Sequence, residues 1–220
     1  MPRERKEFFR ESNIREKERI IVLAFEGNIA EEAYFQEIKA STRFLNDLVY
    51  LHILTRPRSD TNSAPQHVFQ RLQREAKDHF HFGDKDELWM VIDRDKWSNI
   101  PEMVELCEAE GNMYVAVSNP CFEFWLLLHI FEFSEISERD RAKILQNRRI
   151  SNKKTFIDQF LGERIEGGYN KRRPMAHRFL PGLDQAVEAA RALDTRSQIT
   201  PTGLGSHVYK IVEGLIGPES

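Results

Sequence analysis

The stretch that decides the fold is Leu88-Trp-Met-Val-Ile-Asp-Arg-Asp-Lys96, an apolar run that ends in two carboxylates. Its apolar part, Leu88 to Ile92, is long enough for a buried strand and too short for a stable helix. Side chains two apart on extended backbone point the same way, so Asp93 and Asp95 are predicted to face one ligand. Ligands of open α/β sheets bind at the carboxyl ends of the strands. The stretch therefore predicts a parallel strand that leads into a binding site.

A second segment repeats this pattern. Arg19-Ile-Ile-Val-Leu-Ala-Phe-Glu26-Gly27 is an apolar strand followed by a carboxylate and by a glycine that suits a tight turn. Carboxylates that lie close together repel each other unless a cation or a proton lies between them. Mg²⁺ takes oxygen ligands, and the His and Cys set that zinc prefers is missing. We therefore expect Mg²⁺ or Mn²⁺ between Glu26, Asp93 and Asp95, which requires the first and third strands to be neighbours.

Composition excludes several classes of protein. The 220 residues are 40% hydrophobic and carry a net charge of −3, so the chain as a whole is not a basic nucleic-acid-binding protein. No apolar run approaches the roughly 18–20 residues of a membrane span, and the first residues lack the apolar core of a signal peptide. Cys107 and Cys121 have no metal-type spacing and are expected to be reduced. These features predict a cytoplasmic protein that makes no contact with a membrane.

Positive charge is concentrated in the C-terminal third. Three basic groups follow one another there: Arg148-Arg149, Lys153-Lys154 and Lys171-Arg172-Arg173. Beside an acidic metal site, they are expected to hold the phosphates of a nucleic acid. The alternative for each group is an ordinary solvated surface.

The order of predicted elements indicates an α/β fold with a parallel sheet and right-handed crossovers. We expect a charged arm over 1–18, an α/β core over 19–134 and a helical C-terminal extension over 135–220. Strands are predicted at 19–25, 48–54, 88–92 and 113–117, and core helices at 29–42, 65–80 and 99–111. The extension is predicted to hold helices at 137–149, 153–163, 183–196 and 206–216, with a mobile loop at 162–174.

The segment Ser118-Asn-Pro-Cys-Phe-Glu-Phe-Trp-Leu-Leu-Leu-His-Ile130 predicts a strand end and then a very apolar helix. Glu123 falls in the first turn of that helix among large apolar side chains. Such a carboxylate is costly to desolvate unless it is paired or bound to a metal. The other interpretation is that Glu123 complements the helix dipole and that His129 is a core histidine.

These blocks together resemble the RloB family, whose members are also grouped with the AbiLii abortive-infection proteins. The matching blocks are Phe25-Glu-Gly27 with Glu31 and Tyr34-Phe35, then Ile92-Asp-Arg-Asp95, the Ser118-to-His129 segment, and Pro201-Thr-Gly-Leu-Gly-Ser-His207. The resemblance implies a Toprim-like (Rossmann-like) fold in which Glu26, Asp93 and Asp95 bind Mg²⁺ or Mn²⁺. Glu31 matches the second glutamate of the first motif. The family is also linked to defence loci, often beside an ATPase partner.

The function expected from this resemblance is that of a Toprim-type nuclease, the effector of a prokaryotic anti-phage defence or abortive-infection system. The predicted catalytic residues are Glu26, Glu31, Asp93, Asp95 and Glu123, and the predicted substrate-binding residues are Asn119, His129, Lys171, Arg172 and Arg173. Glu26 or Glu31 is the expected general base, and Lys96 or Lys171 the expected stabilising cation. No Gly-x-x-x-x-Gly-Lys-Ser/Thr loop occurs in the chain, so ATP hydrolysis would belong to a separate subunit.

Other interpretations of the Asp-x-Asp pair are less favourable. A dehalogenase-like phosphatase places its nucleophilic Asp after the first core strand, whereas this pair follows the third. An EF-hand loop from Asp93 would need Gly and Glu where the chain has Ser98 and Val104. A nucleic-acid-binding or partner-binding module without catalysis remains the main alternative. The choice between DNA and RNA, and whether the protein forms a homo-oligomer, stay open at this stage.

Overall fold

The structure, a computed structural model, describes residues 17–27, 29–56, 64–78, 82–94, 97, 99–152, 154–194 and 199–218. The strands in these ranges are β1 (Arg19–Phe25), β2 (Val49–Leu54), β3 (Glu87–Asp93), β4 (Met113–Asn119), β5 (Arg149–Ser151), β6 (Lys154–Thr155) and β7 (Gly205–Ser206). The α-helices in the same ranges are α1 (Ala30–Ala40), α2 (Pro65–Asp78), α3 (Ile100–Glu110), α4 (Phe122–Leu128), α5 (Glu138–Gln146), α6 (Phe156–Gly162), α7 (Leu183–Leu193) and α8 (Val208–Leu215). Asp95, Lys96, Lys153 and nearly all of the predicted N-terminal arm lie outside the described residues.

The main sheet has five strands in the order β2-β1-β3-β4-β7. Strands β2, β1, β3 and β4 are parallel, and β7 runs antiparallel to β4. The prediction that the first and third strands are neighbours is confirmed, because β1 pairs with β3 from Ile21 to Phe25. The fold is α/β, a mostly parallel sheet between helices, and it is consistent with the Toprim-like arrangement.

The sheet is parallel and central because its strands are apolar on both faces. In β1, Ile21 and Leu23 belong to one apolar core, which α1, α4, α6, α7 and α8 complete. Ile20 and Val22 face the opposite core, which is completed by α2 and α3. Covering both faces with helices leaves the carboxyl edge of the sheet as the place where polar side chains gather.

The C-terminal part differs from its prediction in two places. Residues Arg149–Ser151 and Lys154–Thr155 form a hairpin and not helix ends, and Gly205–Ser206 adds a strand to the main sheet. Strands of two or three residues carry no readable alternation, so the sequence pattern gives no signal for them. The division between core and extension remains a prediction, since the larger apolar core takes side chains from both parts.

Within the described ranges, no helix combines the length and the apolar character needed to cross a membrane.

Candidate functional site

Four acidic side chains from four different elements meet at the carboxyl edge of the sheet. Glu26 follows β1, Asp93 ends β3, and Glu31 and Glu123 lie in the first turns of α1 and α4. Each is at most 6% exposed. The sequence predicted this convergence, because the carboxyl ends of neighbouring parallel strands lie at one edge. These four residues are called the acidic cluster below.

Hydrogen bonds hold the strand-end members in place. The Asp93 N–H donates to Glu26 Oε2 at 3.0 Å, which links the ends of β1 and β3. The N–H of Phe122, the first residue of α4, donates to Asp93 Oδ1 at 2.9 Å. A helix N-terminus favours a negative charge at this position, so Asp93 also anchors the start of α4.

Gly27 allows the close approach of Glu31. A Cβ atom on residue 27 would overlap both oxygens of the Glu31 carboxylate. The φ of Gly27 is not among the positive values of the described glycines, so a left-handed backbone is not what requires glycine here. The residue is needed for space, because the Glu31 carboxylate lies against its Cα.

The cation of the site is Lys171, which reaches the acidic cluster from the loop between α6 and α7. Lys171 Nζ lies 2.9 Å from Glu123 Oε1, and the Tyr169 hydroxyl donates to the same oxygen at 3.1 Å. The Lys171 side chain is 49% exposed, so its stem faces solvent while its ammonium lies among carboxylates. The loop predicted at 162–174 thus contributes Tyr169 and Lys171 to the site.

Burial and mutual charge shift the protonation of these groups. Burial raises the pKa of Asp93 well above its usual range; Lys171 opposes this, and the Glu31, Glu123 and Glu26 carboxylates add to it. Burial also raises the pKa of Glu31, again against the effect of Lys171. Burial acts in the same direction on Glu123, but the charge and hydrogen bond of Lys171 prevail and lower its pKa. Burial acts to lower the pKa of Lys171, yet Glu123, Asp93 and Glu31 raise it well above its usual value.

The acidic cluster suits a hard divalent ion in the chemistry of its donors. All four side chains offer carboxylate oxygens, which Mg²⁺ and Mn²⁺ prefer. Glu31 Oε2 and Glu123 Oε2 are buried and have no hydrogen-bond partner within the described part of the chain. In the same part of the chain, no three His, Cys, Asp or Glu side chains are arranged to hold one ion. Lys171 occupies one side of the cluster, and Asp95 lies outside the described residues.

A cleft of about 650 Å³ lies beside the acidic cluster, and Glu31 is the member of the cluster that lines it. One wall is the turn from Gly27 to Glu31, and the other is made by the hairpin and by the loop that carries Lys171. The polar side chains lining this second wall are Asn152, Lys154, Asp158, Tyr169, Asn170, Lys171 and Arg172. Basic and amide groups, together with the Asp158 carboxylate, thus line the approach to Glu31, and such basic groups are what a phosphate ligand contacts.

Two arginines that the sequence analysis did not assign lie behind Glu26. Arg56 Nη2 donates to the Glu26 carbonyl at 3.1 Å, and Arg71 Nη2 donates to the Phe25 carbonyl at 2.6 Å. They fix the end of β1 and bring two positive charges to the site. Arg56 lies two residues beyond β2, at the same edge of the sheet as Glu26. Strand order, which the sequence does not give directly, is what brings it there.

Asn119 and His129, both predicted to bind substrate, have structural contacts instead. The Asn119 amide donates to the carbonyls of Pro201 and Gly203 at 3.0 and 2.8 Å, fastening the C-terminal segment. His129 is buried with Nε2 2.9 Å from the Tyr34 hydroxyl and Nδ1 2.9 Å from the Trp125 carbonyl. Burial lowers the pKa of His129 to about 3, which keeps the ring neutral. The core interpretation of His129 therefore fits the structure better than substrate contact.

The remaining basic residues are exposed near the cleft. Arg172 lines it, and Arg173 is the next residue on the same loop. Arg148 and Arg149 are exposed at the start of the hairpin, and Lys154 lies in its second strand. Of the second and third basic groups, Lys154, Lys171 and Arg172 therefore line the cleft. Lys153 lies outside the described residues.

Comparison with known proteins identifies one relationship. A family model described as RloB-like protein matches residues 21–215, nearly the whole chain. No curated protein and no solved structure matches the chain.

Proposed function

Because the chain belongs to the RloB-like protein family, we propose that it hydrolyses phosphodiester bonds of nucleic acid with Mg²⁺ or Mn²⁺ as cofactor. The observation that supports this proposal is the meeting of four buried carboxylates, one of which, Glu31, lines a cleft that also carries basic side chains. Buried carboxylates in this number require cations or protons beside them. A phosphodiester needs the same combination, a metal held by acids and positive charge for its phosphates.

The residues expected to hold the ion are Glu26 and Asp93 at the strand ends, together with Asp95. When bound, the ion would polarise the phosphate and neutralise the charge that develops on it. Asp93 is in position for this, because its Oδ1 is oriented by the Phe122 N–H. Arg56 and Arg71 hold the backbone at Glu26 and limit its movement.

Glu31 is the better candidate for the general base. Burial raises the pKa of Glu31, and a raised pKa is typical of carboxylates that act as general bases. One of its oxygens has no hydrogen-bond partner among the described residues, and Glu31 lines the cleft. These features support Glu31 as the group that would take the proton from an attacking water.

The substrate phosphates would be held by the cationic wall of the cleft. Lys154 and Arg172 line it, and Arg148, Arg149 and Arg173 extend the positive charge to the surface beyond. Contacts of this kind are sensitive to salt and independent of sequence. This arrangement supports binding to a nucleic-acid backbone and carries no preference between DNA and RNA.

The biological role that we propose is the effector step of anti-phage defence or abortive infection, in keeping with family membership. The family resemblance also implies a separate ATPase subunit, which we propose controls the reaction.

A binding module without catalysis is the second candidate. The observation in its favour is that Lys171 already neutralises Glu123, while no three acids in the described residues are arranged around one ion. In this version the cluster would be a structural ion-pair network beneath a nucleic-acid-binding or partner-binding surface.

A cleavage assay separates the two candidates. Purified protein, with and without an ATPase partner, is incubated with plasmid DNA, single-stranded DNA and transfer RNA in Mn²⁺ or in EDTA. We expect cleavage of at least one substrate in Mn²⁺, and its loss in EDTA and in Asp93→Ala protein. Tight binding of a nucleic acid without cleavage under every condition would establish the binding module instead.

A further inference from the structure

The side chain of Lys171 is half exposed, yet its ammonium forms an ion pair with a buried carboxylate of the acidic cluster. Its loop leaves α6 at Gly162 and turns at Gly167 and Gly168, whose φ angles of +79° and +77° suit glycine. Two residues of the next stretch, Tyr169 and Lys171, both contact the same oxygen of Glu123. The loop thus delivers two hydrogen-bond donors to one carboxylate.

The acidic cluster has two sides with different partners. On the strand side, Glu26 and Asp93 are joined through the Asp93 N–H, and Asp93 is oriented further by α4. On the helix side, Glu123 is paired with Lys171, whose ammonium also attracts the Glu31 carboxylate. The strand side contains two of the three predicted metal ligands, whereas the helix side already contains a cation.

Two-metal hydrolases place a pair of divalent ions on either side of the scissile phosphate. Here the helix side of the cluster is taken by an ammonium that is pinned to Glu123 at 2.9 Å. We propose that the centre takes one divalent ion, on the strand side, and that Lys171 acts as the second cation and contacts the substrate phosphate. This inference rests on the proposed function and specifies the number of ions that the reaction uses.

The position of Lys171 in the cleft is suited to this role. It lines the cleft beside Asn170 and Arg172, so a phosphate that enters the cleft meets this side chain. The charge on Lys171 is secured by its carboxylate neighbours, which raise its pKa well above the usual value. A permanent cation of this kind stabilises developing negative charge as an ion would, with no reorganisation during the reaction.

The experiment counts bound Mn²⁺ by calorimetry and by electron paramagnetic resonance in wild-type, Lys171→Gln and Lys171→Arg proteins. We expect one Mn²⁺ in the wild type, with no spin coupling between ions. Lys171→Gln should bind a second Mn²⁺ beside the first and show the coupled spectrum of a close pair. Lys171→Arg keeps the positive charge and should bind one. Lys85→Gln, at an exposed lysine in the turn before β3, is the matched control and should behave as the wild type.

Two close ions in the wild type would overturn the proposal, because Lys171 would then leave the cluster when metal binds. A single ion in both the wild type and a folded Lys171→Gln protein would also overturn it. If Lys171→Gln fails to fold, the wild-type count alone still decides. A count of one without cleavage of any nucleic acid would refute the proposed function and not the metal count. The absence of Mn²⁺ from every variant would refute both.

Discussion

At the scale of single residues, the site depends on the absence of a Cβ atom at Gly27. Glu31 reaches the cleft only because residue 27 has no Cβ, and its carboxylate lies against the Gly27 backbone. The chain from Phe25 to Glu31 therefore works as one unit, in which a strand end and a helix start present two carboxylates. A larger residue at position 27 is expected to affect catalysis more than folding, because the atoms that it would displace are the flexible end of the Glu31 side chain.

Gly27→Ala tests this arrangement. The added methyl group is expected to push the Glu31 carboxylate out of the cluster and to lower Mn²⁺-dependent cleavage by roughly 100-fold or more, the scale for losing a general base. The free energy of unfolding should fall by no more than about 1–3 kcal/mol, the range for modest overpacking. Cleavage rates and urea unfolding measure the two effects.

Gly203→Ala is the control, since a Cβ there meets no atom within 4 Å. If Gly27→Ala cleaves at the wild-type rate, Glu31 has no part in the reaction.

At the scale of elements, β3 and α4 share Asp93. The last residue of β3 accepts a hydrogen bond from the first residue of α4 at 2.9 Å, so one carboxylate serves both a helix start and the acidic cluster. Burial raises its pKa because the ionised form is poorly solvated there. In the absence of metal, the buried Asp93 carboxyl is therefore expected to lower the free energy of unfolding, as is common for residues at functional sites.

Asp93→Asn should separate stability from function. Asn keeps an acceptor for the Phe122 N–H and removes the ionisable group, so the metal-free variant should be about 1–2 kcal/mol more stable at pH 7, the scale of relieving one poorly paired buried group. The folded pKa of Asp93 is raised, so wild-type stability is lost as pH rises above the ordinary aspartate pKa near 3.8. The advantage of the variant should therefore disappear near pH 3. Urea unfolding in EDTA at both pH values measures it.

The exposed Asp84→Asn is the control for the general effect of removing a negative charge. Lower stability of Asp93→Asn at pH 7 would mean that the ionised carboxylate is well paired even without metal. Loss of Mn²⁺ binding is expected in either case.

The elements of the core were largely predictable from the sequence. The strand over Arg19–Phe25 was predicted with its observed bounds, and the other core strands begin and end within two residues of their predictions. Continuous apolar runs that end in a charge leave little choice of structure. The hairpin from Arg149 and the strand at Gly205–Ser206 were missed, because they exist only through pairing with distant or adjacent segments.

At the scale of the whole molecule, the C-terminal segment is hydrogen-bonded to the ends of the strands that carry the site. Pro201 accepts hydrogen bonds from Asn119 and from Arg94, and Ser206 Oγ lies 2.8 Å from Ser118 Oγ. Leu45 N–H donates to the Leu215 carbonyl at 2.9 Å, which ties the last helix to the first half of the chain. The carboxyl edge at which the acidic cluster lies is therefore supported from both ends of the sequence.

Contacts between distant segments also explain which residues at the sheet edge local sequence patterns could position. Glu26, Glu31 and Asp93 follow from local patterns, because each is placed by its own strand or helix. The roles of Asn119 and Lys171 depend on segments about 80 and 50 residues away, at Pro201 and at Glu123. A sequence identifies such residues as polar and unusual, and only the fold shows whether they face the cleft or the core.

The most direct test of the central claim is anomalous diffraction at the manganese edge from crystals grown with Mn²⁺. The measurement locates the ion within the whole molecule, independently of any substrate. We predict one anomalous peak in contact with the Glu26 and Asp93 carboxylates, with Lys171 still bound to Glu123. The absence of manganese from the acidic cluster, or a peak only at another surface, would contradict the assignment of these carboxylates as a metal centre.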